Sequence, residues 1–475
     1  MTMARAATAA DFSLLFEEQR RCYRDEPYPS LAARKAKLQR LERAILGRRS
    51  AIADALYADL RKSAPETEFS ETILTLGELR FARRKLAAWM KPVAVRTPAI
   101  VWGSKSEVRY EPRGVVLVMV PFNYPFQLAL VPLISAVAAG NRAIVRISER
   151  APHTRAVVAA IVAEAFSPDD VATVGGEIDA AQALLRLPFD HIFFTGSTAV
   201  GKIVLAAAAQ HLASVTLELG GKSPALVCEG ADVPHAAARI AWGKCFNGGQ
   251  TCIAPDYALV QEAQVPAFVA QLAASVAKMY GRDPAARERT PDLCRLVDDV
   301  AFERIASLLD RAVAAGARVV LGGERNRAER YIAPTVLTGV DWEMPIMQEE
   351  IFGPVLPVVA YRSLDEALAR IAERPKPLAL YIFSNDERMT RDVLLRTSAG
   401  STLLNDTLVQ WANHHLPMGG AGASGQGSYH GWGGFKALSH ERAVMRQTKL
   451  SAAPLLAPPF TTTSRRLLKL LDKLP

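Results

Sequence analysis

Cys252 stands in Phe246-Asn-Gly-Gly-Gln-Thr-Cys252-Ile-Ala-Pro255, a glycine-rich turn that follows a helical pattern. A thiol lifted by such a turn into a cleft is a candidate nucleophile, if nearby donors or positive charge favour its thiolate. Glu218 lies 34 positions upstream in Leu217-Glu-Leu-Gly-Gly-Lys222. A carboxylate beside two glycines can swing toward the thiol and activate water. Asn123, in Pro121-Phe-Asn-Tyr-Pro-Phe126, offers a carboxamide at the end of an apolar run. Each residue alone has a plainer reading: a core cysteine, a salt-bridged glutamate at a strand end, a turn-forming asparagine. The context of the whole chain decides between them.

The elements that must position these residues follow from hydrophobic periodicity. Residues 11–93 read as helices, with Ser30 able to cap a helix running to Leu60. Glu107 to Tyr110 reads as a short extended piece. Gly114-Val-Val-Leu-Val-Met-Val120 is a continuous apolar run, the pattern of a strand buried on both faces. Further strands are predicted at 143–147, 171–174, 191–194 and 215–219, alternating with helices, which implies a parallel sheet with right-handed crossovers. A second series of strands is predicted at 224–228, 257–261, 318–321, 355–360, 378–383 and 402–405. Residues 417–434 are glycine-rich and irregular. Residues 464–474 form a basic amphipathic pattern, read as a packed helix with membrane-surface contact as the minority alternative. The fold class is therefore α/β: a Rossmann-like parallel-sheet cofactor domain (1–96 and 113–218), an α/β catalytic domain (219–407), a small β oligomerisation element (97–112 and 408–450) and a tail (451–475).

The chain's 475 residues, half of them hydrophobic, require more than one core. Its net charge of +9 is not gathered into an aromatic-laced patch, so no nucleic-acid partner is expected. Five cysteines without C-x-x-C spacing argue against a disulfide framework or a zinc site and for a reducing, cytoplasmic setting. No metal is expected. The most apolar stretch, 125–140, is too short to span a bilayer, so no stable membrane insertion is expected.

Five motifs in order carry a resemblance to the aldehyde dehydrogenase superfamily: Pro121–Phe126, Phe194-Thr-Gly-Ser-Thr-Ala-Val-Gly201, Leu217–Lys222, Asn247-Gly-Gly-Gln-Thr-Cys252 and Glu349-Glu-Ile-Phe-Gly-Pro354. Ala254-Pro-Asp-Tyr257, Lys376-Pro-Leu-Ala-Leu-Tyr381 and Gly425-Gln-Gly-Ser-Tyr-His-Gly431 resemble the class 3 branch, and within it the coniferyl aldehyde dehydrogenases. The resemblance implies NAD(P)-dependent oxidation of an aldehyde to its acid. Cys252 would be the nucleophile, Asn123 and the Cys252 N–H the oxyanion donors, and Glu218 the residue that activates water against a thioester. It further implies that Gly196, Ser197 and Gly201 meet the cofactor pyrophosphate, that Glu350 binds the nicotinamide ribose and that Phe352 packs near the ring. Arg146 stands where the family usually has Lys, which makes NADP a candidate. Glu149 opposes a 2′-phosphate, and NAD is the favoured cofactor. Phe122 replaces a common Trp, and Gly248, often Ala, is expected to loosen the nucleophile loop. Class 3 relatives imply a homodimer. Long-chain fatty aldehyde oxidation, a CoA-acylating reaction and a catalytically silent homologue remain alternatives to an aromatic substrate such as coniferaldehyde or a medium-chain one.

Overall fold

The continuous apolar runs become fully buried strands, because only a layer covered on both faces can hide Val, Ile and Leu at successive positions. In the computed structural model, which describes residues 8–98, 101, 103–448 and 457–472 (side chains of 467, 470 and 471 excepted), Val115–Val120 and Arg142–Ile147 are buried along their whole length. Val115–Val120 pairs in parallel with Arg142–Ile147 on one side and His191–Thr195 on the other. Val171–Val174 and Ser214–Glu218 extend the sheet outward, also in parallel. The direction of winding reverses between Val115–Val120 and His191–Thr195. A crevice opens beyond the carboxyl ends of strands at such a reversal. Asn123 follows the first of these strands and Gly196–Ser197 the second.

The second sheet runs in the order Arg318–Leu321, Thr335–Thr338, Val355–Tyr361, Tyr257–Gln261, Pro224–Val227, Ala379–Phe383, Ser401–Leu404. Its strands are parallel except for the antiparallel edge Arg318–Leu321. One core joins the sheets, with Val118, Val145 and Phe193 from the first and Ala225, Ala258 and Tyr381 from the second. The helices Leu31–Leu46 and Arg49–Leu60 pack against Pro152–Ala165, which covers the first sheet.

Several elements differ from the periodicity reading. Thr335–Thr338 is a four-residue strand, too short to signal itself. The extended piece near Glu107 grows to Lys105–Pro112, flanked by Val93–Val95 and by Ser439–Arg446, which lacks an apolar run. The glycine-rich stretch contributes a two-residue strand, Gly425–Gln426, that pairs antiparallel with Glu218 and Leu217. The tail forms the helix Thr462–Leu471; residues 473–474 lie outside the described residues. None of the described helices is long and apolar enough to cross a membrane.

One buried ion pair stands out. Lys62 and Glu71 are both fully buried, with Nζ 2.7 Å from Oε1. Glu71 sits on the π-helical turn Glu68–Ile73, and its other oxygen accepts from the Gln127 N–H at 2.8 Å. Nζ also lies 4.2 Å from the centre of the Tyr124 ring. Removing one partner leaves a buried charge uncompensated. Lys62→Met should therefore destabilise by about 3–5 kcal/mol, read as a lowered denaturation midpoint. An unchanged midpoint would mean that the pair contributes nothing.

Candidate active site

The helix Val233–Cys245 ends in a tight turn, Phe246–Gly249. Asn247, Gly248 and Gly249 take left-handed backbone angles, with φ of 54°, 62° and 75°. A Cβ on Gly249 would lie 2.3 Å from the Gly353 backbone carbon, so only glycine fits there. A Cβ on Gly248 would meet Cys294 and Gln250 only in ordinary contact, at 3.4 Å or more, but its conformation is one that side chains disfavour. The expectation that it loosens the loop is therefore corrected: glycine relieves strain at a fixed turn.

Gln250 fixes that turn. Its Nε2 donates to the Asn247 carbonyl at 3.1 Å and the Arg295 carbonyl at 3.0 Å, and its Oε1 accepts from the Val297 N–H at 3.0 Å. Its backbone carbonyl accepts from Asn123 Nδ2 at 3.0 Å and Asn247 Nδ2 at 3.1 Å. One Asn123 carboxamide hydrogen is thus committed and the second is left for a ligand. The Asn123 carbonyl is held by Asn247 Nδ2 at 2.9 Å and Lys62 Nζ at 3.5 Å. Glu66 accepts from the Asn247 N–H at 2.8 Å. The Tyr124 hydroxyl lies 2.6 Å from Thr251 Oγ1.

Cys252 is partly exposed at the base of a cavity lined by Tyr124, Leu128, Phe246, Leu408, Trp411 and Tyr429, among others. Burial, with the charges of Glu350 and Glu218, pushes its thiol up to about 12. The N–H groups of Cys252 and Ile253 pull the other way. Glu218 ends the strand Ser214–Glu218, and Gly425–Gln426 lies alongside it. Its two carboxyl oxygens are buried with no hydrogen-bond partner among the described residues. Burial raises it well above the usual carboxylate range. Glu350 is raised to about 8 by burial and by the charge of Asp256. A Cβ on Gly220 would lie 2.0 Å from Glu350 Oε2. The glycines after Glu218 thus serve a purpose beyond freeing Glu218: Gly220 makes room for Glu350.

Asp256 ties this region together. It accepts from the Ile351 N–H at 3.1 Å and pairs with Lys222, whose Nζ also donates to the carbonyls of Ile346 at 2.8 Å and Glu349 at 3.0 Å. Phe352 adopts φ of 51° and meets Phe122 edge-on at 5.9 Å. Arg150 covers Phe122 at 4.1 Å and binds Asp298 through two nitrogens, at 2.5 and 2.7 Å.

The remaining predicted residues gather at the mouth of the first sheet. Ser197 caps the helix Thr198–Ala209, and Gly201 faces Leu219, whose Cδ2 an added Cβ would meet at 2.7 Å. Gly196 donates its N–H to the Glu218 carbonyl at 3.0 Å. Arg146 does not stand open: Nη2 binds Glu149 Oε2 at 2.5 Å and the Gly176 carbonyl at 3.2 Å. Gln250, Glu66, Lys62, Glu71 and Lys222 were not singled out from the sequence. Gln250 and Lys222 lie inside quoted motifs, where their own hydrogen-bonding capacity was the available signal. Lys62, Glu66 and Glu71 carry no local signal, because the site residues they hold, Asn123, Asn247 and Gln127, lie far along the chain.

The aldehyde dehydrogenase family profile matches residues 1–444. The chain is 43% identical over 444 residues to the 4,4'-diaponeurosporen-aldehyde dehydrogenase of Staphylococcus aureus, covering 93% of this chain and 95% of that one. It is 42% identical to human aldehyde dehydrogenase family 3 member B1, with 92% of each chain covered. To a Pseudomonas aeruginosa protein named "Probable coniferyl aldehyde dehydrogenase" it is 40% identical, covering 95% and 94%. Among solved structures, the substrate-bound state of Staphylococcus aureus AldH superposes with a TM-score of 0.93 at 41% identity, over 97% and 99% of the chains. An NAD+ complex of a Bacillus cereus aldehyde dehydrogenase gives 0.84 at 26% identity, over 94% and 90%. The two-sheet α/β fold around a cysteine, a buried carboxyl and a carboxamide is that of an oxidoreductase, and the chain belongs to the aldehyde dehydrogenase family, with class 3-like relatives.

In the protein alone, the Cys252 thiol is neutral at pH 7. Its alkylation by iodoacetamide should be slow there and rise about tenfold per pH unit to at least about pH 10. Mass spectrometry of the Cys252 peptide measures this; a plateau below pH 8 would show a thiolate held ready by the protein itself.

Proposed function

We propose that this aldehyde dehydrogenase oxidises an apolar aldehyde, aromatic (such as coniferaldehyde) or medium-chain, to its acid through a thioester on Cys252, with NAD as the favoured cofactor. The observation that carries the reading is the Cys252 thiol on the wall of an apolar cavity, within electrostatic reach of the unpartnered Glu218 carboxyl, with Asn123 tied to the nucleophile turn through the Gln250 carbonyl and keeping one hydrogen uncommitted.

The chain's residues fit a nicotinamide dinucleotide. Thr195 Oγ1 is buried without a hydrogen-bond partner among the described residues, at the strand end where the cofactor crevice opens. The first turn of Thr198–Ala209, capped by Ser197, presents N–H groups and a positive dipole end to a pyrophosphate. Glu149 can accept from a ribose 2′-hydroxyl, while a 2′-phosphate would have to displace it from Arg146. Glu350 and Phe352 would flank the nicotinamide ribose and ring. When bound, the nicotinamide supplies the hydride acceptor.

The Cys252 thiol releases its proton to solvent, the thiolate sulfur attacks the carbonyl carbon, and negative charge develops on the aldehyde oxygen. Asn123 Nδ2 and the Cys252 N–H donate to that oxygen, an interaction typically worth on the order of 10²–10³ in rate per donor. After oxidation the carbon is held as a thioester. Glu218, ionised, takes a proton from water as it attacks, and the acid leaves as Cys252 regains its thiol. Because Glu218 is raised by burial, this step should speed up as pH rises through its elevated value.

Cys252→Ala should abolish NADH formation; persistent turnover would end the mechanism. Glu218→Gln should give a burst of about one NADH per chain and then stall. A steady rate equal to wild type would remove Glu218 from the role.

One observation favours a second reading, a longer apolar aldehyde: the 43% identical relative is named for 4,4'-diaponeurosporen-aldehyde. Coniferaldehyde, hexanal and hexadecanal assayed in parallel with NAD and NADP separate the readings. The proposal expects the highest kcat/KM for coniferaldehyde or hexanal with NAD, and a preference for hexadecanal would transfer it to the longer chain.

A further inference from the structure

Among the described residues, one group of three side chains has metal-ligand chemistry in close array: Glu78, His414 and His430, whose ligand atoms all lie within 4.8 Å of one another. It lies outside the catalytic set. Glu78 is on the helix Leu74–Trp89 and is 1% exposed. Its Oε1 accepts from the Gly431 N–H at 2.6 Å and its Oε2 from His414 Nδ1 at 2.9 Å. His430 Nδ1 faces Oε2 at 3.4 Å. His430 is only 4% exposed, yet neither of its ring nitrogens makes a hydrogen bond within the protein. A buried imidazole with nothing bound is costly.

The charges point the same way. Glu78 Oε2 faces both imidazoles, His414 Nδ1 at 2.9 Å and His430 Nδ1 at 3.4 Å. Its only ion-pair partners among the described residues are the two imidazoles. A buried carboxylate needs a cation nearby. Either an imidazole carries a proton or a metal ion sits between the three groups.

We propose that Glu78, His414 and His430 bind a borderline divalent cation of the Zn2+ or Co2+ type. Two imidazoles and one carboxylate are a zinc donor set, and a fourth position is left for water. Ligand bonds of about 2.0–2.2 Å place tetrahedral donors roughly 3.3 Å apart. The shortest separations present, 2.9 and 3.4 Å, bracket that value. His414 is the adjustable ligand, because its side chain is 23% exposed and rests against Phe81 at 5.7 Å. The ion would tie the helix Leu74–Trp89 to the segment carrying Trp411, Met418 and Tyr429, three residues of the cavity wall. It would act as a clamp on that wall and take no part in the oxidation.

The test is a Co2+ titration of the full-length chain after chelator treatment, followed by absorbance and by thermal unfolding. The expected result is one Co2+ per chain with a nitrogen- and oxygen-ligand spectrum, and an unfolding midpoint that rises with metal concentration. His414→Gln and Glu78→Gln should each weaken binding by at least about tenfold, with circular dichroism unchanged. A measurement free of variants uses diethyl pyrocarbonate on the wild type, where Zn2+ should protect the His414 peptide. No stoichiometric uptake, a thiolate spectrum, equal binding by folded variants or an unprotected His414 each overturns the site in favour of a protonated imidazole.

Discussion

Gln250 is the knot on which the site depends. One side chain and its own carbonyl gather the turn after Val233–Cys245, the loop carrying Asn123 and the stretch from Arg295 to Val297. These three pieces come from distant parts of the chain. Each presents backbone groups that water cannot reach, and an unpaired one would cost about 1–3 kcal/mol. The amide has two donors and an acceptor, and all are used. The left-handed turn at Asn247–Gly249 is stable because this network overdetermines it. Cys252 and Asn123, the proposed nucleophile and oxyanion donor, are therefore set by one shared scaffold.

Around that scaffold the electrostatics are those of a site at rest. Burial makes ionisation unfavourable for Glu218, Glu350 and Cys252, and any charge on either carboxyl would disfavour the thiolate further. With little positive charge in reach, the neutral forms win. A positively charged nicotinamide ring is the kind of group that would reverse this balance, favouring thiolate and carboxylate together. Reactivity in the proposed mechanism thus follows occupancy, which protects the thiol from stray electrophiles and oxidants.

Much of this was legible in the chain. Runs such as Val115–Val120 and His191–Thr195, alternating with helices, read as buried parallel strands, and motif order carried the family and pointed to Cys252, Glu218 and Asn123 as candidates. The edges were less readable. Thr335–Thr338 is too short to show a period, and Ser439–Arg446 is mostly polar and mostly exposed, so it shows no alternation. Contacts between distant segments left no trace: Lys62 with the Asn123 carbonyl 61 positions away, Glu66 with Asn247 at 181, and Glu78 with His414 at 336. Arg146 shows another limit. Residue type suggested a fork open to phosphate, but its neighbour Glu149 already occupies it.

The pairing of Gly425–Gln426 with Leu217–Glu218 has a consequence for biosynthesis. The first sheet can assemble from residues before 220, but its edge beside Glu218 is closed by chain made some two hundred residues later. A nascent chain emerges N-terminus first. Until the last tenth of the protein leaves the ribosome, the edge strand bearing Glu218, the proposed water activator, has an open flank. Enzyme competence is thus tied to completion of translation, and chains that terminate early would expose an adhesive sheet edge for quality control to recognise.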